Sequence, residues 1–154
     1  MKRLAVLAVA VASGVVVASS AYASAKVDLR VVGTEVPPIS STRGTFVGAS
    51  QGPVGAWRIS IRHQALSTGP TVAVTGGSLV IGLRTGTALR SSVTGGSVSV
   101  TNRGARCTTQ VYAVRVQLAA GTFDGILQHH RRSLFAHCVI YAATISVHAV
   151  LQAA

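Results

Sequence analysis

The sequence predicts an all-β fold, a single small antiparallel β-barrel of about eight strands. Three observations predict it. Apolar and polar residues alternate with a period of two along most of the chain, glycines punctuate the alternating segments, and no helical period is found beyond the N-terminal segment. A closed barrel is favoured because closure removes the exposed strand edges that promote aggregation. The alternative is a two-sheet β-sandwich.

The alternation is clearest in two stretches. In "VGAWRISIRHQAL" (54–66) a tryptophan and two isoleucines alternate with arginines and a serine, and "QVYAVRVQL" (110–118) repeats the pattern. Such segments are typical of half-buried antiparallel strands, with apolar side chains toward a core and polar side chains toward water. The candidate strands are 27–33, 45–49, 54–66, 71–75, 79–85, 88–93, 97–101, 110–119, 122–131 and 137–151.

Two glycine-rich stretches share a pattern. "VTGGSLVIGLRTG" (74–86) and "VTGGSVSVTNRGA" (93–105) match at their first five positions, with an offset of 19 residues. We expect each Thr-Gly-Gly-Ser to form a hairpin turn, because paired glycines supply the positive φ angles that tight turns require. A phosphate-binding loop is excluded because it needs a helix after the glycines, and strands follow here.

Residues 1–25 are predicted to be a cleaved secretory signal peptide. A basic start, "MKR", precedes an apolar run from Leu4 to Val17, and small residues allow cleavage after Ala23 or Ala25. Every later apolar run is interrupted by arginine, glycine or serine, so no transmembrane helix is expected after cleavage. We therefore expect the protein to be secreted or to reside in the periplasm or cell envelope.

The remaining chain has the length of a single domain. We expect residues 26–43 to form an N-terminal strand and a proline-containing arm, because "VPP" at 36–38 interrupts strand pairing. Residues 44–154 are predicted to form the antiparallel barrel. A chain of this size buries enough surface for one core without a structural metal.

The chain is strongly basic. Its net charge is +11, and removing Lys2 and Arg3 from the 14 basic residues leaves 12 against three acidic ones, a net charge of +9. A basic exported protein can bind anionic glycans, lipid headgroups or cell-wall polymers. Because the arginines are scattered singly along the sequence, solubility is favoured over binding as the reason for the charge.

Cys107 and Cys138 are the two cysteines of the chain. In an exported protein an even pair predicts a disulfide, and there is no third thiol for a zinc cluster. The loop that the bond closes would stabilise the fold by about 3–4 kcal/mol if the disulfide acts by restricting the unfolded chain.

Strand parity places several polar and aromatic residues toward the core side. If residues 131–135 form a hairpin loop, His129 lies opposite His137, and both point inward at the barrel mouth. These residues would orient a ligand at one end of a cavity. The candidate ligand-binding residues are Trp57, His63, Tyr112, His129, His137 and Tyr141.

No catalytic residue is predicted, and neither a metal nor a cofactor is expected. A glycosidase needs two facing carboxylates, but Asp28 and Asp124 fall on outward faces and leave Glu35 without a partner. The Gly-x-Ser-x-Gly pattern of many serine hydrolases occurs once, as "GASQG" at 48–52, but the pattern alone does not predict a triad, which also needs an acid near a histidine. The mouth histidines are expected to bond to backbone or water rather than to a metal. Nucleic-acid binding is not expected either, because most aromatic residues fall on core faces.

The last strand carries an unusually apolar outer face. Its even-numbered positions from 138 to 150 hold mostly small or apolar side chains. A packed neighbour would explain this, either another subunit in a homo-oligomer or the N-terminal arm. Harmless exposure of small apolar groups is the alternative.

Three stretches carry a resemblance. "GTFVGASQGPVGAW" (44–57), "GTFDGILQHHRR" (121–132) and "CVIYAATISVHAVL" (138–151) resemble small exported β-barrel proteins of uncharacterised function. Their rhythm is similar to the dirigent and allene oxide cyclase type of barrel. The resemblance covers most of residues 44–151 and rests on glycine spacing and strand rhythm. It implies a dimer or trimer with an apolar cavity that guides reactive small molecules, and it assigns no functional residue.

These observations lead to one expected function and two alternatives. We expect a non-enzymatic exported barrel that binds a small apolar ligand or a cell-envelope partner such as an anionic polymer. One alternative is a cavity enzyme of the cyclase, isomerase or lyase type, in which His129 or His137 works with Tyr141 in acid–base chemistry. The other is a structural protein, or one that binds anionic surfaces through its arginines.

Overall fold

A computed structural model describes residues 26–50, 54–84 and 86–152, so the expected signal peptide lies outside the described residues. Eight antiparallel strands follow one another in sequence order and close into one barrel, which confirms the predicted fold class. The strands are β1 Lys26–Glu35, β2 Arg43–Ala49, β3 Val54–His63, β4 Thr71–Leu83, β5 Ala88–Asn102, β6 Gln110–Leu118, β7 Gly121–Leu134 and β8 His137–Gln152. Within these ranges the only helical element is a 3-10 turn at Leu66–Thr68. No helix among the described residues is long and apolar enough to cross a bilayer.

The first strand closes the barrel. β1 pairs with β8 from Lys26, opposite Gln152, to Thr34, opposite Thr144, and its last residues pair with β2. The prediction that the barrel begins at residue 44 is therefore wrong. β1 has the same alternation as the other strands and supplies the edge that β8 requires, whereas the proline segment only links β1 to β2.

The prediction that the two Thr-Gly-Gly-Ser stretches form hairpin turns is wrong. β4 and β5 run straight through them, so four predicted strands become two long ones. Gly77 and Gly96 have φ values of +146° and +132°, and a Cβ at either position would collide with the carbonyl oxygen of Ser60 or Arg115 on the adjacent strand. Here glycine allows a strand to bend sharply against its neighbour, which lets a small sheet close into a barrel.

The barrel interior is filled with apolar side chains. The alternation predicted for 54–66 and 110–118 is confirmed along β3 and β6, whose inward residues are buried. Trp57 and Phe123 make an edge-to-face contact with ring centroids 6.0 Å apart. The largest fully buried side chains are Phe46, Phe123, Ile59, Ile61, Leu79, Ile81, Ile145, Leu151, Val54, Val114 and Val116. Each contributes about 1.5–3 kcal/mol through burial alone, so packing of this interior dominates the stability of the fold.

The long β7–β8 hairpin extends beyond the barrel rim. β7 pairs with β6 only as far as His129, and β8 pairs with β1 only as far as Thr144. Beyond those points, within the described chain, the two strands pair only with each other. We call residues 130–143 the hairpin arm. About five residues of extended strand make it roughly 17 Å long.

A disulfide joins Cys107 to Cys138, as predicted. It ties the loop between β5 and β6 to the start of β8, close to the tip of the hairpin arm. Arg131 reinforces this connection, because its Nε donates to the carbonyl of Thr108 at 2.9 Å and its Nη2 donates to the carbonyl of Arg103 at 3.0 Å. The bond is compatible with an oxidising, extracellular location.

Candidate functional site: a barrel-end cluster and an arginine face

A buried acid–histidine pair lies at one end of the barrel. His129 Nε2 and Glu35 Oε2 are 2.6 Å apart, in a hydrogen bond that the carboxylate accepts. The two residues are only 5% and 9% exposed. Strand parity explains the meeting, since His129 follows Phe123 and Leu127 on the inward side of β7 and Glu35 ends the inward side of β1.

Tyr112 and His63 complete this barrel-end cluster. The rings of Tyr112 and His129 have centroids 5.0 Å apart, and the Tyr112 hydroxyl donates to Gln110 Oε1 at 2.9 Å. Burial raises the pKa of Tyr112 above its usual value of 10.0, although nearby Arg131 opposes the shift. His63 Nδ1 lies 2.8 Å from the carbonyl oxygen of Gln64 and donates to it, which fixes the orientation of the imidazole.

The cavity that these residues line is very small. Its volume is about 20 Å³, close to the space that the centre of one water molecule needs. Ligand pockets in proteins usually have volumes of about 300–1,000 Å³. The cluster can therefore hold a water-sized group, but in this conformation it cannot enclose an organic substrate.

The structure brings together only part of the candidate set. His63, Tyr112 and His129 line the cavity as expected, whereas Trp57 is buried elsewhere in the interior, 2% exposed. Among the described residues, Trp57 Nε1 is the one buried side-chain nitrogen or oxygen without a hydrogen-bond partner. It packs too closely against β1 and β2 for a ligand to reach it.

The predicted pairing of His129 with His137 is wrong. The turn consists of two residues, Phe135 and Ala136, so His137 lies opposite Leu134 and is exposed, and His129 lies opposite Ala143. A register shift after His130 then changes which residues face inward.

Tyr141 lies on the outside of the hairpin arm, 60% exposed, rather than in the cavity. Sequence reasoning also missed Glu35 as the partner of His129. The inward parity of β1, with Leu29 and Val31 buried and Glu35 continuing their face, is the signal that could have found it.

A second feature occupies the outer surface of β2 to β5. Four exposed arginines surround a row of hydroxyl side chains, and we call this set the arginine face. The arginines are Arg43, Arg58, Arg62 and Arg90, and the hydroxyl residues are Thr45, Ser60, Ser78 and Ser92. A depression of about 480 Å³ lies over its centre.

Strand register sets the geometry of the arginine face. The four hydroxyl residues lie directly opposite one another across four neighbouring strands, and Thr45 Oγ1 is 3.2 Å from Ser60 Oγ. Arg58 and Arg62 flank Ser60 at two residues on either side, so their Cα atoms are about 13 Å apart along the strand. The hydroxyl row thus runs between two rows of guanidinium groups.

The charges of this face are unbalanced. Arg43 and Arg62 lie directly opposite each other on β2 and β3, an arrangement that destabilises a sheet. Within the described residues, none of the four guanidinium groups has a hydrogen bond or an ion pair. Of the three acidic residues of the chain, Glu35 is inside the barrel, and Asp28 and Asp124 belong to β1 and β7 on the other side of the barrel.

The single spacing of the arginines along the sequence favours solubility as the reason for the charge, and this interpretation misses the arginine face. The signal was present in the strand parity. Arg58 and Arg62 share the outward parity of β3, and strand order then places Arg43 and Arg90 on the same side of the barrel.

Comparison with protein families, with curated proteins and with solved structures finds no match to this chain. The resemblance to the dirigent and allene oxide cyclase type of barrel therefore stays a prediction. Among the described residues, no group of three His, Cys, Asp or Glu side chains is placed to hold a metal ion.

Proposed function

We propose that this protein is a non-enzymatic exported binding protein that holds an anionic polymer of the cell envelope on its arginine face. The observation that carries the proposal is the row of four hydroxyl residues between unpaired guanidinium groups, with no acidic side chain on the same strands. The expected signal peptide and the disulfide support the assignment to an oxidising compartment outside the cytoplasm.

The chemistry of this face suits phosphate or carboxylate groups. A guanidinium donates two parallel hydrogen bonds to such an anion, and neighbouring hydroxyls can donate a third. A single exposed ion pair contributes only about 0–1 kcal/mol. A polymer overcomes this weakness because its successive anions bind neighbouring arginines at a high effective concentration.

The unfavourable pairing of Arg43 with Arg62 supports a binding role. A sheet gains nothing from two like charges in direct opposition, so the arrangement costs folding free energy. An anion bound between the two guanidinium groups would remove this repulsion. The arginines would then stabilise the complex more than the free protein.

The barrel interior supports this proposal over a small apolar ligand or a cavity enzyme. Interior side chains fill the barrel, and the cavity at the barrel-end cluster is about 20 Å³. An organic ligand could enter only if core residues such as Phe46 or Leu127 moved, which would cost packing free energy. The outer surface requires no such rearrangement.

The opposite wall of the barrel supports a second role, self-association. The outward side chains of β1, β8, β7 and β6 surround a groove of about 840 Å³ and form what we call the mixed face. Val32 and Ile126 are 64% and 46% exposed there, next to the small side chain of Ser146. We propose that a second copy of the chain packs on this face, because charges of both signs, Arg115 and Asp124 among them, can pair with their counterparts.

Matched double variants test the polymer proposal. Arg58→Ala with Arg62→Ala removes two charges from the arginine face, and Arg30→Ala with Arg115→Ala removes two from the mixed face. Binding is measured by isothermal titration calorimetry with inorganic polyphosphate and with polygalacturonate, which separates phosphate from carboxylate recognition. We expect the first variant to bind at least about tenfold more weakly and the second to stay within about twofold of the unmodified protein.

Equal losses in the two variants would show attraction by net charge alone and would overturn the proposal, as would full binding by the first variant. Self-association is tested separately by Ser146→Arg, which places a charge in the groove of the mixed face. If copies pair there, light scattering should show a lower mass for this variant than for the unmodified protein. An unchanged mass would contradict pairing through this face.

A further inference from the structure

The tip of the hairpin arm has an unusual turn. Phe135 and Ala136 connect β7 to β8 with φ values of +47° and +64°. Two-residue turns of this kind usually contain asparagine, aspartate and glycine, because a side chain with a Cβ is strained at positive φ. A phenylalanine at this position stabilises neither the turn nor the core. Such an outlier favours a function for the side chain itself.

The tip is also strongly apolar. Phe135 is 89% exposed, the highest value among the exposed large apolar residues of the described chain, and the adjacent Leu134 is 43% exposed. Both lie at the end of the arm that extends beyond the barrel rim, so neither can pack against the barrel wall. A contiguous exposed apolar tip of this kind indicates contact with another apolar phase.

Four arginines, which we call the collar, lie behind this tip in the arm and in the loop beside it. Arg131 and Arg132 belong to the arm, and Arg103 and Arg106 belong to the loop that the disulfide ties to it. Neither the loop nor the arm contains an acidic residue. Arg132 precedes Phe135 by three residues, which corresponds to about 10 Å along an extended strand. That distance matches the depth to which apolar groups enter the boundary between headgroups and acyl chains.

Tyr141 lies at the level of the collar rather than of the tip. Its ring is 60% exposed, and the Arg132 guanidinium lies 5.6 Å from the ring centroid in a cation–π contact. Tyrosine is enriched where a membrane surface meets water, because its ring is apolar and its hydroxyl is polar. The arm therefore presents an apolar tip and, behind it, a level at which cationic side chains and an amphipathic tyrosine lie together. A bilayer surface offers matching partners, with acyl chains below and acidic headgroups above.

The arm is held ready for binding. The disulfide at Cys138 fixes the loop against the arm, and Arg131 donates hydrogen bonds to two carbonyl groups of that loop. Phe135 and the collar are thus positioned before contact, and little conformational entropy is lost on binding.

We propose that the hairpin arm binds the surface of an anionic lipid bilayer. Phe135 and Leu134 enter the boundary region, and Arg132, Arg103 and Arg106 contact the acidic headgroups. The two contributions act together, because a short apolar insertion or a cluster of basic residues alone holds a protein only weakly on a membrane. This site is separate from the arginine face and does not depend on the proposed polymer.

Vesicle co-sedimentation of the oxidised protein tests the proposal. The vesicles are phosphatidylcholine with about one-third phosphatidylglycerol, at about 0.1 M salt, and pure phosphatidylcholine vesicles serve as the comparison. We expect the protein to bind the anionic vesicles at least about tenfold more tightly, because the collar needs acidic headgroups.

Phe135→Gly is the decisive variant. Glycine accepts positive φ without strain, so the turn and the fold are retained while the apolar side chain is lost. We expect it to bind the anionic vesicles about tenfold more weakly and to bind polyphosphate unchanged. Ile39→Gly, which removes an exposed apolar side chain from the loop between β1 and β2, is the matched control and should bind the vesicles as the unmodified protein does.

Insertion itself can be observed with Phe135→Trp. The single native tryptophan, Trp57, is 2% exposed and is not expected to respond to vesicles, so a blue shift of emission on their addition would come from residue 135. An unshifted emission, or vesicle binding by Phe135→Gly equal to that of the unmodified protein, would overturn the proposal. Absence of vesicle binding would also overturn it and would leave an apolar pocket of another protein as the partner of the tip.

The two proposed sites fail independently. If vesicle binding is lost in the Arg58→Ala and Arg62→Ala variant but kept in Phe135→Gly, the arginine face is the lipid site and the role of the arm is refuted. If polyphosphate binding fails while vesicle binding depends on Phe135, the polymer proposal falls and the membrane proposal stands.

Discussion

The arginine face and the mixed face lie on one barrel but differ in the charges that face each other across neighbouring strands. On the arginine face, positive charges oppose each other across strands, as in Arg43 with Arg62. On the mixed face, Arg115 lies opposite Asp124, and His148 Nε2 is 3.0 Å from Asp28 Oδ1. The same alternation builds the interior behind both walls. The difference shows that the inward positions specify the barrel, while the outward positions can differ in charge without changing the fold.

The largest expected effect concerns the interior, on which both faces depend. Glu35→Ala leaves His129 buried without its hydrogen-bond partner, and we expect the free energy of unfolding to fall by about 3 kcal/mol or more. Urea unfolding with the disulfide intact measures it. Asp28→Ala, which breaks the exposed pair with His148, is the matched control and should change stability by less than about 1 kcal/mol. Similar losses of stability in the two variants would show that the buried pair contributes no more to stability than the exposed pair.

Charge reversal should produce the next largest effect. Arg58→Glu with Arg62→Glu places two carboxylates beside the hydroxyl row, and we expect binding of polyphosphate to weaken by about a hundredfold. The same reversal at Arg30 and Arg115 gives an equal net charge and should reduce binding much less. Calorimetry at two salt concentrations compares them. If the two reversals weaken binding equally, the difference between the faces has no bearing on polymer recognition.

Single arginine substitutions should change stability in opposite directions on the two faces. Arg62→Thr removes a like charge opposite Arg43, so we expect it to stabilise the fold by about 0.2–1 kcal/mol. Arg115→Thr removes an opposite charge across from Asp124 and should destabilise by a similar amount. Threonine suits a strand in both places, and thermal unfolding at low ionic strength detects the sign. A change of stability in the same direction in both variants would contradict the proposed difference in cross-strand charge pairing.

The smallest expected effect is the change in stability at alkaline pH. It reports on the interior alone, because Tyr112 is buried there and the arginines of both faces stay charged. Burial raises the pKa of Tyr112 above 10.0, so the unfolded chain loses this proton at lower pH than the folded protein. Stability linked to Tyr112 is complete below pH 10 and is lost as pH rises through the folded pKa. Arginines stay charged in this range.

Tyr112→Phe measures that contribution. Relative to this variant, the free energy of unfolding of the unmodified protein should fall as the pH rises above about 10. The arginines on both faces should stay charged over the same pH range. Chemical denaturation at a series of pH values gives the comparison. A difference between the two proteins that stays constant up to pH 11 would contradict a raised pKa for Tyr112.

Much of the fold could be predicted from the sequence because its signals are local. Alternation in 54–66 and 110–118 located β3 and β6, and the pair of cysteines predicted the disulfide. Two errors came from interactions between distant residues. Gly77 bends β4 rather than ending it because its backbone lies against the carbonyl of Ser60 on the adjacent strand β3. Residues 26–35 join the barrel rather than forming a separate arm because β8 offers an edge for pairing.

The candidate site was predicted less completely than the fold. Parity placed His129 inside, but its partner Glu35 is 94 residues away in the sequence. The hairpin register, set by a two-residue turn and a shift after His130, moved His137 and Tyr141 outside. A displacement by one residue reverses the face of every later side chain, so a small error in a turn changes a whole site.

The sequence by itself determined an all-β chain, most of its inward residues, its cysteine pair and its basic charge, because each depends on composition or on a period of two. Only the tertiary structure decided which distant residues meet. Closing eight strands into a barrel aligned four arginines around a hydroxyl row, buried Glu35 against His129 and left Phe135 exposed at the tip of the hairpin arm. The physical reason is that register and closure are set by pairing between strands far apart in the sequence, and alternation within one strand carries no record of its neighbours.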